Sequence, residues 1–220
     1  MLSHNIFDFL KELKQNNNRD WFTANKKKYD AAKKEVETFL TKLIPAIDSF
    51  DPGIIHNTPK DCMFRINRDV RFSNDKSPYK TNFGAFVVKG GKKSMNAGYY
   101  LHLDPEECFA GGGIYMPPAD KLKLIRNEIY FNAEEYKKIL NDKNFKKHFN
   151  ELTDAEKLKT APKDFPKDFK DIELLKFKNF TPLQMLTPAQ ICEEDFFEKL
   201  IDIFKAMYPL NTFLNRALSN

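Results

Sequence analysis

The apolar residues near the start of the chain recur at the spacing of an α-helix. A first group, from Ile6 to Leu13, follows Ser3, which predicts a helix that begins behind a serine N-cap and ends near Gln15. A second group forms one stripe of a longer helix whose opposite face is rich in lysine. The residues of that stripe are Tyr29, Ala32, Val36, Phe39, Leu40, Leu43 and Ile47.

The hydrophobic period changes to two between about residues 62 and 116. The stretch FRINRDVRF, residues 64–72, alternates apolar and polar positions and predicts a strand. The stretch NFGAFVVKGGKKSMNAGYYLHLD predicts two further strands joined by a turn at the paired glycines. These strands form the predicted central sheet.

Helical spacing returns after Pro117, and Asn132 with Glu135 predicts a capping box for one of these helices. IELLKF and LQML predict extended pieces within residues 172–186, and Thr187-Pro188 predicts the start of a helical C-terminus. The sequence therefore predicts a single α+β domain over residues 1–220. Its central, mostly antiparallel sheet comes from about residues 62–116, with possible strands at about 172–186, and is flanked by N-terminal and C-terminal helices.

The composition favours a packed core. Phenylalanine is unusually frequent, with 21 residues in 220, and 41% of the chain is hydrophobic. The formal charge is +5, but 36 basic residues are interleaved with 31 acidic ones. A diffuse excess of this size is a weak indication of nucleic-acid binding, because binding proteins concentrate their charge on one face.

The cysteines and the first residues argue against a disulfide-rich, secreted or membrane-spanning protein. Cys62, Cys108 and Cys192 are far apart and form no CxxC pair, which argues against a disulfide framework or a cysteine zinc site. The opening MLSHNIFDFLKELKQ mixes charged and apolar residues, unlike a signal or transit peptide. No apolar run is long enough to span a bilayer. We therefore expect a soluble, cytoplasmic protein without a membrane partner.

Motifs of standard hydrolase, nucleotide-binding and metal sites are absent from the sequence. The four histidines are isolated from one another, and there is no GxSxG motif. The stretch KGGKKS lacks the first glycine of a phosphate loop and leads into a predicted strand. The sequence thus predicts no metal and no cofactor. It leaves open whether the protein is an enzyme, because folding can assemble a site without a motif.

The segment FRINRDVRFSNDKSPYK, residues 64–80, carries five cationic and two acidic side chains. On the predicted strand Arg68 shares the apolar face, where a guanidinium needs an anionic partner. That partner is either a ligand or one of Asp69, Asp75 and Asp104 of the protein itself. The residues SNDKSPYK then predict a tight turn that presents two lysines.

Two further stretches contain candidate binding or catalytic residues. CFAGGGIYMPP places Gly111–Gly113 inside a predicted strand, where glycines permit a bulge or the close approach of another backbone, or cradle an anion with their N–H groups. YYLHLDP places Tyr100, His102 and Asp104 on one face, which makes them candidates for proton transfer. A histidine on a strand also serves as a structural hydrogen-bonding group.

Several of these stretches resemble the blocks of one family. FRINRDVRFSNDKSPYKTNFGAF, AGYYLHLDP and GGGIYMP are similar to those of the domain-of-unknown-function 2461 family of uncharacterised bacterial and fungal proteins, and the resemblance covers nearly the whole chain. It implies no activity, cofactor or catalytic residue, because none is established for the family. Where similar proteins carry a Gly and a His, this chain has Asp164 and Phe169. The matching positions are Arg65, Arg68, Asp69, Arg71, Phe72, Ser73, Asp75, Lys76, Pro78, Tyr79, Lys80, Gly112, Gly113 and Pro117.

Three hypotheses for the function follow from the residues. The first is a pocket for a phosphate- or carboxylate-bearing small molecule, in a binding protein or an enzyme. Its predicted ligand-binding residues are Arg65, Arg68, Arg71, Lys76, Tyr79, Lys80, Gly111, Gly112 and Gly113. The second is a nucleic-acid-binding domain in which Phe64, Phe72, Tyr79 and Tyr115 stack on bases. The third is a purely structural role for the basic segment, with a protein as partner. The oligomeric state stays open.

Overall fold

The computed structural model of the protein describes residues 1–149, 152 and 157–219. Four helices precede the sheet, and the two long ones carry the apolar stripes predicted from the sequence. Ser3 occupies the N-cap of the first helix, but its hydroxyl donates to Oε2 of Glu35 at 2.9 Å instead of capping. The helices are α1 (His4–Gln15), α2 (Arg19–Ala24), α3 (Lys26–Asp48) and α4 (Pro59–Cys62).

Four antiparallel strands form one sheet in the order β1-β2-β3-β4. Tyr100 lies opposite Phe86 on one side and opposite Gly111 on the other. The fourth strand is the predicted LQML piece, and it pairs with β3 although helices separate the two strands along the chain. The strands are β1 (Phe83–Val87), β2 (Gly98–Leu103), β3 (Cys108–Gly113) and β4 (Leu183–Leu186).

The remaining helices complete the α+β arrangement that the sequence predicts. They are α5 (Ala119–Phe131), α6 (Ala133–Leu140), α7 (Lys143–His148), α8 (Ile172–Leu175), α9 (Pro188–Ile191) and α10 (Phe196–Leu218). Helix α10 packs on β3 and α5 and covers one face of the sheet, where the rings of Phe204 and Tyr99 lie 5.1 Å apart. Among the described residues, no helix has both the length and the apolarity needed to cross a membrane.

The predicted strand at residues 64–72 is wrong. This segment is one arm of a loop, here called the basic loop (residues 64–80), whose isolated bridge between Asn67 and Tyr79 joins its own two arms. The loop closes on itself, because Arg68 N donates to Pro78 O at 2.9 Å and Lys80 N donates to Ile66 O at 2.8 Å. Ile66 is buried, but Phe72 is 96% exposed, so the alternation of the sequence does not correspond to two faces.

Two smaller predictions are also wrong. Residues 172–175 of the predicted extended piece IELLKF form α8, whereas LQML is extended as predicted. The predicted capping box of α6 does not form, because the Asn132 amide donates to Glu128 and the Glu135 carboxylate accepts from Arg216. Hydrogen bonds from these two side chains to neighbouring helices thus replace the capping bonds within α6.

Candidate ligand cleft on the open face of the sheet

The face of the sheet opposite α10 is lined by aromatic side chains. Along β2 the buried Tyr99, Leu101 and Leu103 alternate with the half-buried Tyr100 and His102. The same alternation places Phe86 of β1 and Phe109 of β3 on the open face, so the side chains that β1, β2 and β3 present there are aromatic rings, and Leu183 and Met185 of β4 lie beside them. The sheet therefore presents an aromatic surface away from the core.

Two glycines leave room for side chains to lie across this face. A Cβ atom on Gly84 would lie 2.4 Å from the hydroxyl oxygen of Tyr100, and one on Gly111 would lie 2.4 Å from Cδ2 of Leu183. Both positions are in the interior of a strand, where glycine is otherwise unfavourable. The absence of a side chain at Gly84 thus allows the Tyr100 ring to rest on the backbone of β1.

The rings contact one another in a continuous layer. His102 stacks on Phe109 with ring centroids 4.7 Å apart and an interplanar angle of 8°. Tyr100 lies 5.6 Å from Phe109 and 6.3 Å from Phe64, which is the first residue of the basic loop. Distances of this size are typical of favourable aromatic pairs. The layer offers a flat apolar floor on which a planar group can stack.

A hydrogen bond of 3.0 Å joins the hydroxyl oxygen of Tyr100 to Nδ1 of His102. Burial raises the pKa of Tyr100 to about 12 and lowers the pKa of His102, so at neutral pH the pair holds an intact phenol and a neutral imidazole. Asp104 does not join this pair, since its Oδ1 accepts the backbone N–H of Glu106 at 2.9 Å. The predicted proton-transfer trio is therefore a Tyr–His pair.

The depressed pKa of His102 predicts a loss of stability in mild acid. Its ordinary value is 6.5, and below that pH the unfolded chain binds a proton that the folded chain resists, so unfolding becomes more favourable as the pH falls. We expect the melting temperature of the wild type to decrease, relative to that of His102→Gln, between about pH 7.5 and 5. Differential scanning fluorimetry of both proteins across this pH range measures the difference in melting temperature. A constant difference between the two proteins would contradict the expectation.

A cleft of about 610 Å³ opens over the aromatic floor. Its charged lining residues are Lys80, Lys92 and Lys121, and none of the lining residues in the described part of the chain is an aspartate or glutamate. The apolar lining residues are Phe64, Phe86, Met95, Tyr100, Phe109, Ile114, Tyr115, Pro117, Pro118 and Leu183. The cleft thus combines a mostly apolar lining with side-chain charges that are all positive.

Lys80 differs from the other two lysines in its surroundings. It is half-buried, and its Nζ lies 5.4 Å from the centroid of the Phe64 ring. Burial lowers the pKa of Lys80, and the nearby charge of Arg65 lowers it further, while no acid in the described part of the chain compensates. Lys92, by contrast, donates a hydrogen bond to the carbonyl oxygen of Lys60.

The arginines of the basic loop form internal ion pairs. Arg68 pairs with Asp75 and also donates to Ser77 O at 3.2 Å. Arg71 binds Asp69 through two nitrogens, at 2.9 and 2.7 Å. Hydrogen bonds from Ser77 and Arg68 lower the pKa of Asp75 to about 2, so this carboxylate is charged at neutral pH. Arg68 therefore finds its anionic partner within the protein.

Of the ligand-binding residues predicted in the basic loop, Lys80 lines the cleft and the others do not. Arg65 is exposed, and Lys76 donates to Val70 O at 3.1 Å. Tyr79 is buried, with its ring 3.9 Å from that of Phe22 in the core. The loop thus contributes its two ends, Phe64 and Lys80, to the cleft.

The predicted glycine triplet lies in β3, and Gly112 and Gly113 line the cleft. Both allow another part of the backbone to approach closely. A Cβ atom on Gly112 would lie 2.0 Å from Gly98 O, and one on Gly113 would lie 1.9 Å from Phe180 O. Of the uses that the sequence left open for these glycines, the close approach of another backbone is present here.

The cleft residues that sequence reasoning missed include Phe86, Phe109, Lys92 and Lys121. The two phenylalanines occupy the outward positions of predicted strands, so strand alternation carried a signal for them. Lys121 belongs to α5 and reaches the cleft only through the packing of that helix. In the part of the chain that the structure describes, no cluster of three His, Cys, Asp or Glu side chains could hold a metal ion.

Comparisons with known proteins place the chain in a family. The family model described as "Conserved hypothetical protein (DUF2461)" matches residues 5–213. Comparison with curated proteins and with solved structures gives no significant match. The family match covers nearly the whole chain and confirms the resemblance of the sequence blocks. The chain therefore belongs to the DUF2461 family of conserved hypothetical proteins.

Proposed function

We propose that the cleft binds a small molecule that combines a planar apolar body with a phosphate or carboxylate group. The observation that carries the proposal is the lining itself, with three lysines, no described acid and a floor of aromatic rings. Pockets of 300–1,000 Å³ are typical for small ligands, and the cleft has about 610 Å³.

The two parts of the ligand would contact different parts of the cleft. A planar body stacks on Tyr100 and Phe109, while the anionic group meets Lys80 and its neighbours. The arginines of the basic loop, which form ion pairs with Asp75 and Asp69, would then position Phe64 and Lys80. They would not contact the ligand, whose anionic group would be bound by the lysines. This assignment moves the proposed anion site from the arginines to the cleft.

Lys80→Met tests this proposal because it should change binding and stability in opposite directions. The folded surroundings disfavour the charged amine, so its removal is expected to raise the melting temperature of the free protein. Removal of the charge should weaken the binding of an aromatic anion at least about tenfold. Thermal unfolding and isothermal titration with phenyl phosphate, 4-hydroxybenzoate and pyridoxine 5′-phosphate measure the two effects.

Lys93→Met is the matched control, because Lys93 is exposed and does not line the cleft. It removes the same charge and should leave both affinity and melting temperature nearly unchanged. Equal effects of the two substitutions on affinity would mean that only the net charge of the protein matters. Saturable binding of none of the three probes would count against the cleft as an aromatic-anion site.

A second candidate function is the binding of single-stranded nucleic acid. Phe64 and Lys80 belong to both the cleft and the basic loop, and Phe72 of that loop is 96% exposed beside the guanidinium of Arg71. The bases of a single-stranded nucleic acid could therefore stack in the cleft, and its backbone could continue along the basic loop. Tight oligonucleotide binding that weakens steeply with salt, without binding of the small probes, would favour this candidate.

A further inference from the structure

The lysine at the end of the basic loop has the surroundings of a reactive amine. Most lysines that serve a structural role are exposed or bound to carboxylates, which keep them protonated. The Lys80 amine instead lies over the ring of Phe64, half-buried, in a cleft without a described acid. An apolar pocket and a second cation, here Arg65, are the two features that favour a neutral, nucleophilic amine.

The other cations of the cleft do not share this environment. Lys92 already donates a hydrogen bond to the carbonyl oxygen of Lys60. Lys121 lies in the first turn of α5 and lines the same cleft. Lys92 and Lys121 can keep the anionic group in place in those molecules in which the Lys80 amine has lost its proton and is free to react.

We propose that Lys80 is a nucleophilic residue that forms an imine with an aldehyde or ketone group of the anionic ligand in this cleft. This inference rests on the proposed function, since the lysines and the aromatic floor must first hold the molecule. It narrows the ligand class to planar, anionic carbonyl compounds.

The chemistry needs no oxidant, reductant or metal. The lone pair of the neutral Nζ attacks the carbonyl carbon, a C–N bond forms, and a proton moves from nitrogen to oxygen to give a carbinolamine. A group in the cleft then donates a second proton to this oxygen, the C–O bond breaks and water leaves. The nitrogen gives its remaining proton back to that group, leaving a C=N bond. The Tyr100 hydroxyl lines the same cleft in its protonated form and can donate the proton that the departing oxygen requires.

Pyridoxal 5′-phosphate is a suitable probe because it is a planar aldehyde with a phosphate group. The full-length protein is mixed with about one equivalent of the probe and treated with borohydride, which reduces an imine to a stable secondary amine. Peptide mapping by mass spectrometry then locates the adduct. We expect labelling of Lys80 to exceed that of a typical exposed lysine at least about tenfold. Lys80→Arg should lose this adduct while keeping the fold and the positive charge.

Two matched comparisons separate this inference from the proposed function. Lys92→Arg and Lys121→Arg retain the amine of Lys80 and should still be labelled there. Pyridoxine 5′-phosphate, which has an alcohol in place of the aldehyde, measures non-covalent binding alone. Binding of the alcohol without preferential labelling of Lys80 by the aldehyde would overturn the inference and leave the proposed function standing. Failure of both compounds to bind would overturn both.

Discussion

The substitution Gly113→Ala is expected to lower the free energy of unfolding by about 3 kcal/mol or more. Gly113 has a φ of +83°, which is unfavourable for any residue with a Cβ atom, and the new atom would lie 1.9 Å from Phe180 O. That oxygen already accepts a hydrogen bond from Ile114 N at 3.2 Å. The clash would therefore displace the fully buried Phe180 and the bridge that it forms with Ile114. Urea denaturation measures the loss.

Gly90→Ala is the matched control for Gly113→Ala. Gly90 has a similar φ of +86°, but its nearest neighbour would lie 3.6 Å from the added Cβ atom. This variant isolates the conformational cost, expected to be about 1 kcal/mol. If the two variants lose the same stability, the contact with Phe180 O is unimportant. A larger loss at Gly113 assigns the difference to the close approach of the two backbone segments.

The substitution Gly84→Ala should cost about 2 kcal/mol of stability, because the new Cβ atom would lie 2.4 Å from the hydroxyl oxygen of Tyr100. Removing that oxygen with Tyr100→Phe leaves ring atoms at 3.2 and 3.3 Å, a much milder contact. The cost of Gly84→Ala should therefore fall by about half in the Tyr100→Phe background. Chemical denaturation of the four proteins in this double-mutant cycle gives the coupling energy.

The sign of the Gly84→Ala effect is itself informative. Without a clash, alanine in place of glycine inside a strand stabilises a protein by restricting the unfolded chain. A neutral or stabilising effect, or equal costs in both backgrounds, would mean that the Tyr100 ring moves aside easily. It would also mean that the flat aromatic floor is not fixed by the backbone of β1.

Local patterns were sufficient to predict the elements with strong periodicity. The stripe from Tyr29 to Ile47 gave α3, and the alternation around Tyr100 gave β2, because one buried face determines each element. The strand predicted at residues 64–72 was wrong for the opposite reason. Its alternation at residues 64–72 is not a response to burial, since ion pairs such as that of Arg68 with Asp75 and a closed set of backbone hydrogen bonds determine its shape.

The candidate site was predictable only in part. Lys80, Tyr100, Gly112 and Gly113 belong to stretches whose composition drew attention to them, and they line the cleft, whereas the predicted Gly111 does not. Sequence could not show that Arg68 would be satisfied by Asp75, because three acids were possible partners. Nor could it place Lys121 in the same cleft as Lys80, since that depends on how α5 packs in the folded protein.

The pairing of β3 with β4 has a consequence for how the protein folds. The strands Cys108–Gly113 and Leu183–Leu186 are neighbours in the sheet, yet α5, α6, α7 and α8 lie between them along the chain. Closing so long a loop costs chain entropy before the contact gives any return, so the β1-β2-β3 meander should form earlier than the last ladder. Leu183 and Thr181 form part of the cleft wall. We therefore expect the cleft to be complete only after β4 has paired with β3, so that a ligand in contact with Leu183 and Thr181 would slow the detachment of the fourth strand.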